Sequence, residues 1–305
     1  MNERGPIVCG TDLSPASETS VDLAAQLARA LGRPLHLVCV TATFDDSGEP
    51  TNEAERVFRE RLAERRDAAR DGLGRAAERA GKTASDVEAH LVGGRPYEAL
   101  LAHADRADAS MIAVGAHGHA GAVRTTRENL GEWLLGSTAD RLVRHSHVPV
   151  LVGGRDEGLH KPLCGTKWLV ALDGSGQARA ALRIAHAMAD RCDATLELVH
   201  ALEGPYALTD PVGPTDPFPP VHPAERARVE NELRGLAKAA LGEDLPLTLH
   251  AGEPSHVLVS AAAERDASLI VMGTHGRAGL RHFLLGSVAE RTLRRSPIPV
   301  LCVPR

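Results

Sequence analysis

The sequence predicts an α/β protein with two doubly wound domains, each a five-stranded parallel sheet flanked by helices. An internal repeat is the first observation, because residues 107–118 read ADASMIAVGAHG and residues 265–276 read RDASLIVMGTHG. The second is that short apolar runs alternate with helical patterns in both copies, which indicates βαβ crossovers and a parallel sheet with covered faces. The length of 305 residues, about twice a common domain size, agrees with two domains.

The repeat extends over most of the chain. Residues 134–152 read LLGSTADRLVRHSHVPVLV and match residues 284–303, which read LLGSVAERTLRRSPIPVLCV. At the start of each copy, IVCGTDLSPAS at 7–17 matches LVALDGSGQA at 169–178. Two copies of one domain are therefore predicted.

The domain boundaries follow from the repeat. The first domain is predicted at 1–153 and the second at 167–305. Between them, segment 154–166 contains glycines, a Lys-Pro pair and charged residues, and is the natural linker.

Apolar runs of five or six residues predict four strands in each half. These runs are Pro6–Gly10, Leu35–Val40, Met111–Gly115 and Val148–Val152, then Lys167–Leu172, Thr195–His200, Leu269–Gly273 and Ile298–Val303. The first run of each half leads to an aspartate, Asp12 or Asp173. In doubly wound sheets, ligands bind at the carboxyl ends of the strands, where the strand order reverses.

Two helices have clear sequence signals. Ser14 is a predicted N-cap, with Pro15 at the first helical position and Gly32 as the stop. A later, longer helix has an apolar face and an opposite face rich in Arg and Glu. Its apolar face comprises Phe58, Leu62, Ala69, Leu73, Ala76 and Ala80.

Composition excludes several classes of protein. The net charge of −5 lacks the basic excess of a nucleic-acid-binding protein, and an aromatic content of 3% supplies few base-stacking side chains. Apolar runs stop short of a membrane span, and no apolar stretch follows Met1, so neither a membrane segment nor a secretory signal is predicted. The five scattered cysteines, with no C-x-x-C pair, predict a reduced, cytoplasmic protein.

Two nucleotide-binding motifs are incomplete. Gly81-Lys82-Thr83 resembles the end of a Walker A loop, but Ala76 stands where that loop needs glycine, and a helical segment precedes it. Gly174-Ser175-Gly176 follows a strand as a dinucleotide fingerprint does, but its third position is Arg179, which is too bulky for close packing of helix on strand. A dehydrogenase is therefore weakly supported.

A third motif is more specific. Gly273-Thr-His-Gly276 follows a strand, and after nine residues Gly286-Ser287 opens another helix. Such glycines let the backbone approach an anion, and the N–H groups of a helix N-terminus with a hydroxyl favour phosphate. Arg277 would add one charge-assisted contact, and the aspartate after the first strand would accept a bond from a ribose hydroxyl. The alternative is that these glycines only permit tight turns and that Asp12 and Asp173 only cap helices.

At these residues both halves resemble the universal stress protein family. The family's nucleotide signature, G-x2-G-x9-G-[ST], is reproduced by Gly273, Gly276, Gly286 and Ser287. The resemblance implies Rossmann-like domains that bind ATP or ADP, with or without Mg²⁺, and that pair through their last strands. It assigns nucleotide contacts in the second half to Asp173, Ala201, Met272 and Val288.

In the first half the same resemblance implies contacts from Asp12, Val40, Gly115, Gly118, Gly136 and Ser137. Here 17 residues separate Gly118 from Gly136, where nine separate Gly276 from Gly286. The eight extra residues fall within Ala122–Glu132 and bring two arginines to the phosphate side. A modified but usable first site is therefore predicted.

The predicted function is an ATP- or ADP-binding regulatory or protective protein of the stress response. A glycine loop holds phosphate without cleaving it, and neither a catalytic constellation nor metal-ligand spacing is evident, so hydrolysis and metal binding are not assigned. The alternatives are a nucleotide-free dimeric interaction scaffold and a slow ATP hydrolase. A homodimer, with the two halves of each chain paired, is expected, and neither nucleic-acid nor membrane partners are.

Overall fold

The structure, a computed structural model, is described for most of the chain. The described residues are 4–42, 52–117, 135–154, 161–202, 223–276 and 285–304. They form a single ten-stranded sheet with helices on both faces. None of the helices in these ranges is long and apolar enough to cross a membrane.

Strands and helices alternate in both halves. The first half contains β1 (Ile7–Thr11), α1 (Pro15–Leu31), β2 (Leu35–Thr41), α2 (Glu53–Gly81), β3 (Val87–Gly93), α3 (Pro96–Arg106), β4 (Met111–Val114), α4 (Ser137–His145) and β5 (Val150–Val152). The second half contains β6 (Lys167–Ala171), α5 (Gly176–Cys192), β7 (Thr195–Leu202), α6 (Pro223–Leu241), β8 (Leu247–Ala251), α7 (Pro254–Glu264), β9 (Leu269–Gly273), α8 (Ser287–Arg295) and β10 (Val300–Val303). The predicted α/β fold is confirmed.

The strand order fixes where ligands would bind. It runs β3-β2-β1-β4-β5-β10-β9-β6-β7-β8, and every pair within one half is parallel. The order reverses between β1 and β4 in the first half and between β6 and β9 in the second. These are the two switch points at which doubly wound sheets bind their ligands.

The two halves meet through their last strands. β5 and β10 pair antiparallel, with Leu151 opposite Leu301, and both side chains are buried. Beside this junction, Arg144 of α4 lies 3.3 Å from Glu290 of α8. Neither β5 nor β10 is left as an unpaired apolar edge, the kind of edge that promotes aggregation.

Each face of the sheet carries one hydrophobic cluster. Residues from α1, α2, α5 and α6 pack on one face, and residues from α3, α4, α7 and α8 pack on the other. Both clusters include residues from both halves, so the core is continuous across the junction.

The first helix begins and ends where the sequence predicts. Ser14 is its N-cap and accepts a hydrogen bond from Ser17 N, and Gly32 is its C-cap with a left-handed φ of 64°. In α2 only part of the predicted apolar face is buried. Leu73 and Ala80 lie in the core, and both belong to the C-terminal third of α2. Phe58, near the start of the helix, is 51% exposed.

The fifth strand of each half had no residue assignment from the sequence. It is the outermost strand, β3 or β8. β3 reads VEAHLVG and none of its residues is fully buried, so it lacks the apolar run that identified the inner strands. Edge strands that face solvent need not be uniformly apolar.

Candidate functional site

The candidate site of the second half lies at the carboxyl ends of β6 and β9. Asp173 follows β6 closely, and Gly273 is the last residue of β9. The chain from Gly273 to Gly276 and the start of α8 lie beside them. These elements meet because β6 and β9 are neighbouring parallel strands at the switch point.

Asp173 is held in place by the turn into α5. Its Oδ1 accepts a hydrogen bond from Ser175 N at 2.9 Å, and Ser175 caps α5 by accepting from Ala178 N. Gly174 lies between them with a left-handed φ of 82°, a conformation that glycine adopts without strain. The turn therefore fixes the position of the other carboxylate oxygen of Asp173, Oδ2.

Gly276 lies against that second oxygen. A Cβ atom at Gly276 would be only 2.8 Å from Asp173 Oδ2. The absence of a side chain at Gly276 thus lets the loop after β9 lie beside the carboxylate. The structure brings together these two residues, which are 103 positions apart.

Polar atoms without partners lie next to Gly273. A Cβ atom at Gly273 would be 3.0 Å from Gln177 Cβ, in the first turn of α5. Among the described residues, neither polar atom of the Gln177 amide has a hydrogen-bond partner, although both are buried. The buried Nε2 of His275 also has no hydrogen-bond partner there. Because buried polar groups are usually satisfied, these atoms are candidate contacts for a bound polar ligand.

The N-terminus of α8 closes the site. Gly286 is its N-cap and offers no side chain to the N–H groups of the first turn. The N–H group of Gly286 itself donates a hydrogen bond to Thr274 O at 2.8 Å. The contribution to anion binding falls instead on the N–H groups that follow, from Ser287 and Val288, which have no partner within the helix.

The remaining predicted residues of the second site are apolar. Met272 of β9 is buried, and Ala201 of β7 and Val288 of α8 are partly buried against the same hydrophobic cluster. Ala201 is the penultimate residue of β7 and does not end it as expected, because pairing with β8 continues to Leu202. The three residues belong to or pack against the hydrophobic cluster on one face of the sheet.

The first half repeats this arrangement with differences. Asp12 Oδ1 accepts hydrogen bonds from Ser14 N at 3.1 Å and from Ser14 Oγ at 2.6 Å. Leu13 occupies the left-handed position, with a φ of 63°, that glycine occupies in the second half. Gly115 follows β4, and Val40 is the penultimate residue of β2.

The helix that opens this first site starts as α8 does. Gly136 is the N-cap of α4 without a capping side chain, and its N–H donates to Ala116 O at 2.9 Å. Ser137 is the first helical residue. Gly118, Arg277 and the inserted segment Ala122–Glu132 lie outside the described residues.

Sequence reasoning missed Gln177 and His275 as candidate contacts. Neither residue is one of the defined positions of the glycine signature. Gln177 lies in the first turn of the helix that follows Asp173, and this position in the sequence indicates that it is close to the site. The lack of a partner for its buried amide depends on packing against β9, which the sequence does not reveal.

The arrangement of the second site can bind an anion. It combines glycine-lined backbone, uncapped helical N–H groups and unpartnered polar side chains with one fixed carboxylate. The carboxylate suits the hydroxyl groups of a sugar, whereas the helix N-terminus suits phosphate. These residues therefore fit a nucleotide, and we assign them no bond-breaking step.

Comparison with known proteins finds the same family in both halves of the chain. The sequence profile of the Universal stress protein family matches residues 3–153 and again residues 166–304. A universal stress protein from Mycobacterium tuberculosis is 28% identical over 220 residues, which cover 70% of this chain and 68% of that protein. Universal stress protein YxiE from Bacillus subtilis is 35% identical over 145 residues, covering 45% of this chain and 97% of its own.

One solved structure shows the same fold over nearly the whole chain. The crystal structure of a universal stress protein from Archaeoglobus fulgidus matches with a TM-score of 0.68 at 19% identity, and 98% of each chain is covered. A universal stress protein in complex with cAMP covers 49% of this chain and 95% of its own, at 25% identity and a TM-score of 0.34. Because the family profile covers nearly all of both halves, the chain belongs to the universal stress protein family.

Proposed function

We propose that the second half binds ATP or ADP, with or without Mg²⁺, and that the protein acts as a nucleotide-responsive regulatory or protective protein of the stress response. The observation that carries this proposal is the contact between Gly276 and the Asp173 carboxylate. It supports the proposal because the Asp173 carboxylate, beside the glycine loop, would accept hydrogen bonds from ribose hydroxyls. The uncapped N-terminus of α8 would then bind the phosphates.

Burial and polarity in the site support the same ligand. The apolar surface of Met272, Ala201 and Val288 suits an adenine ring. The Gln177 amide and His275 Nε2 offer donors and acceptors that have no other described partner.

The first experiment identifies the bound molecule. Freshly purified protein is denatured, and the released small molecules are identified and counted by mass spectrometry. ATP or ADP at one or two molecules per chain is expected. Two nucleotides per chain would indicate that the first half also binds nucleotide. One per chain would indicate that Leu13 or the inserted segment has altered the first site. Protein that carries no nucleotide and binds none of ATP, ADP and cAMP on titration would favour the nucleotide-free scaffold.

A matched pair of variants tests the glycine loop. In Gly276→Val the side chain would meet Asp173 Oδ2 and fill the space that a ribose or phosphate needs. In Gly235→Val the added Cβ atom has no neighbour within 4 Å, since Gly235 lies on an exposed face of α6. Isothermal titration should show loss of ATP binding for the first variant only. Equal affinity in both variants would contradict the proposed site.

Assembly and location are also proposed. All five cysteines are unpaired, which suits the reducing cytoplasm. A homodimer would need a surface other than the last strands, because β5 and β10 already pair within the chain. Light scattering on the full chain tests the dimer directly.

A further inference from the structure

Three histidines gather at the outer part of the sheet in the first half. His36 lies near the start of β2, His90 lies in the edge strand β3, and His103 lies in the last turn of α3. His36 precedes Val40 by four residues, about 13 Å along a strand. The cluster is thus separate from the candidate nucleotide site.

The register of the sheet and one helix bring the rings together. His36 pairs with Glu88 and Val38 pairs with His90, so His36 and His90 point to the same face of the sheet. α3 packs on that face and adds His103. The three ring centroids are 4.6, 4.9 and 5.4 Å apart.

The ring nitrogens have the spacing of metal ligands. One nitrogen from each histidine can be chosen so that all three lie within 4.8 Å of one another. His36 Nδ1 and His103 Nε2 are 3.2 Å apart. Two nitrogens bound to one tetrahedral zinc ion at about 2.0–2.1 Å would be about 3.3 Å apart. Without metal, the close pair shares a single hydrogen bond.

The surroundings favour the neutral form of two of the imidazoles, those of His103 and His36. Burial, followed by the neighbouring histidines and Arg106, lowers the pKa of His103 to about 4. Burial is also the main cause that lowers the pKa of His36. Neutral imidazole is the form that binds metal ions.

A carboxylate and an unsatisfied nitrogen complete the cluster. Glu88 Oε2 lies 3.2 Å from His90 Nε2 and 3.7 Å from His36 Nε2. The contact to His90 is not aligned as a hydrogen bond, so the buried His90 Nε2 has no hydrogen-bond partner among the described residues. The Glu88 side chain is 55% exposed, which leaves a route for an ion from solvent.

The second half offers an internal comparison. Aligning Leu37 with Leu198 and Pro96 with Pro254 places Glu197, Thr248 and Ala261 at the positions of the three histidines. There Thr248 donates to Glu197 at 2.7 Å, and Arg265 also donates to Glu197. The same location is thus closed by an ion pair in one half and lined by three imidazoles in the other.

We propose that His36, His90 and His103 form a binding site for a divalent transition-metal ion, with zinc as the first candidate. Imidazole ligands suit zinc and its neighbours in the first transition row better than magnesium or calcium. Three histidines leave a fourth position, for which the Glu88 carboxylate is the nearest negatively charged group. The ion would join the edge strand β3 to β2 and α3.

Zinc titration of tag-free, chelator-treated protein tests this site. We expect the parent protein to bind one zinc ion per chain at these histidines and to unfold at a higher temperature with zinc than without. His103→Ala should weaken binding by at least about 100-fold and abolish the thermal shift, since even second-shell changes weaken metal sites by about 10- to 100-fold. Alanine stands at the equivalent position of the second half, so the variant is compatible with the fold.

Two further variants separate metal binding from folding. His90→Gln, in the partly exposed edge strand, should lose zinc binding in the same way if His103→Ala proves unstable. His186→Ala removes a histidine that lies 3.4 Å from Glu243 at the surface of the second half and should bind zinc like the parent. A parent that binds no zinc, or a His90→Gln protein that binds it as the parent does, would overturn the proposal.

Discussion

At the scale of single residues, the left-handed position after the first strand distinguishes the two halves. Leu13 and Gly174 have φ values of 63° and 82°. A residue with a Cβ atom is strained there by about 1–2 kcal/mol relative to a right-handed position. Leu13 is held there by packing, since its side chain contacts the core and Gly72 of α2. Because residue 174 is a glycine, the second half does not carry this backbone strain.

Opposite effects are expected when two glycines of the second half are changed to alanine. Gly174→Ala should lower the free energy of unfolding by about 1 kcal/mol, because alanine disfavours positive φ. Gly235→Ala should raise it by roughly 0.5–1 kcal/mol, because alanine is the better helix former at an exposed position of α6. Urea denaturation followed by circular dichroism measures both. A Gly174→Ala protein as stable as the parent would show that the turn relaxes.

At the scale of elements, the start of α7 differs from the start of α3. Glu253 caps α7 by accepting hydrogen bonds from Ser255 N and His256 N, and Arg295 of α8 lies 2.8 Å from its carboxylate. Burial raises the pKa of Glu253, but the bonds from Ser255 and His256 and the charge of Arg295 outweigh it, so the pKa lies below the usual value. Arg95 at the equivalent cap of α3 makes no such bond.

This cap predicts a pH-dependent stability difference. The pKa of Glu253 is lower in the folded protein than the unfolded carboxyl value of 4.5, so ionised Glu253 stabilises the fold above pH 4.5. This stabilisation is lost as the pH falls from 4.5 through the lower pKa of the folded protein. Glu253→Gln should therefore be less stable than the parent at pH 7 by about 1–2 kcal/mol. The difference should shrink towards pH 3. Urea denaturation at several pH values checks it, and a gap that is constant with pH would contradict the assignment. Arg95→Gln is the control.

The sequence predicted the inner elements well and the outer ones poorly. Ser14, Pro15 and Gly32 act through local backbone chemistry, so the bounds of α1 could be determined without tertiary information. β3 and β8 could not be assigned, because their stability comes from pairing at the edge of the sheet. The glycine signature located the loop after β9, but the bond from Gly286 N to Thr274 O depends on how that loop folds back.

The histidine cluster was beyond the reach of sequence spacing. His36, His90 and His103 are separated by 53 and 12 intervening residues, which matches no metal-ligand motif. Their meeting depends on the register between β2 and β3 and on the packing of α3. Both features appear only when the fold is known.

At the scale of the whole molecule, the shared sheet and continuous cores couple the two halves. Proteins with two domains often unfold in separate steps. Here each hydrophobic cluster contains residues from both halves. Trp168, fully buried in β6, reports on the second half. One cooperative transition is therefore expected.

A mutation in one half should be detected by the tryptophan of the other. In a Trp133→Phe background, where Trp168 is the sole tryptophan, Leu37→Ala should destabilise the protein by about 2–5 kcal/mol. Its fluorescence midpoint should fall with the midpoint from circular dichroism. Leu198→Ala, the equivalent change in the second half, is the matched control. If Leu37→Ala leaves the fluorescence transition in place, the halves unfold independently.

The antiparallel junction between β5 and β10 determines how the two candidate sites are oriented. All strands of one half run in the opposite direction to those of the other, so their carboxyl ends lie along opposite edges of the common sheet. Asp12 and Asp173 therefore open towards opposite sides of the molecule. One small ligand therefore cannot bridge the two candidate sites, and a ligand would reach each of them from a different side of the molecule. Any influence of one occupied site on the other has to pass through the shared strands and the helices that cover them.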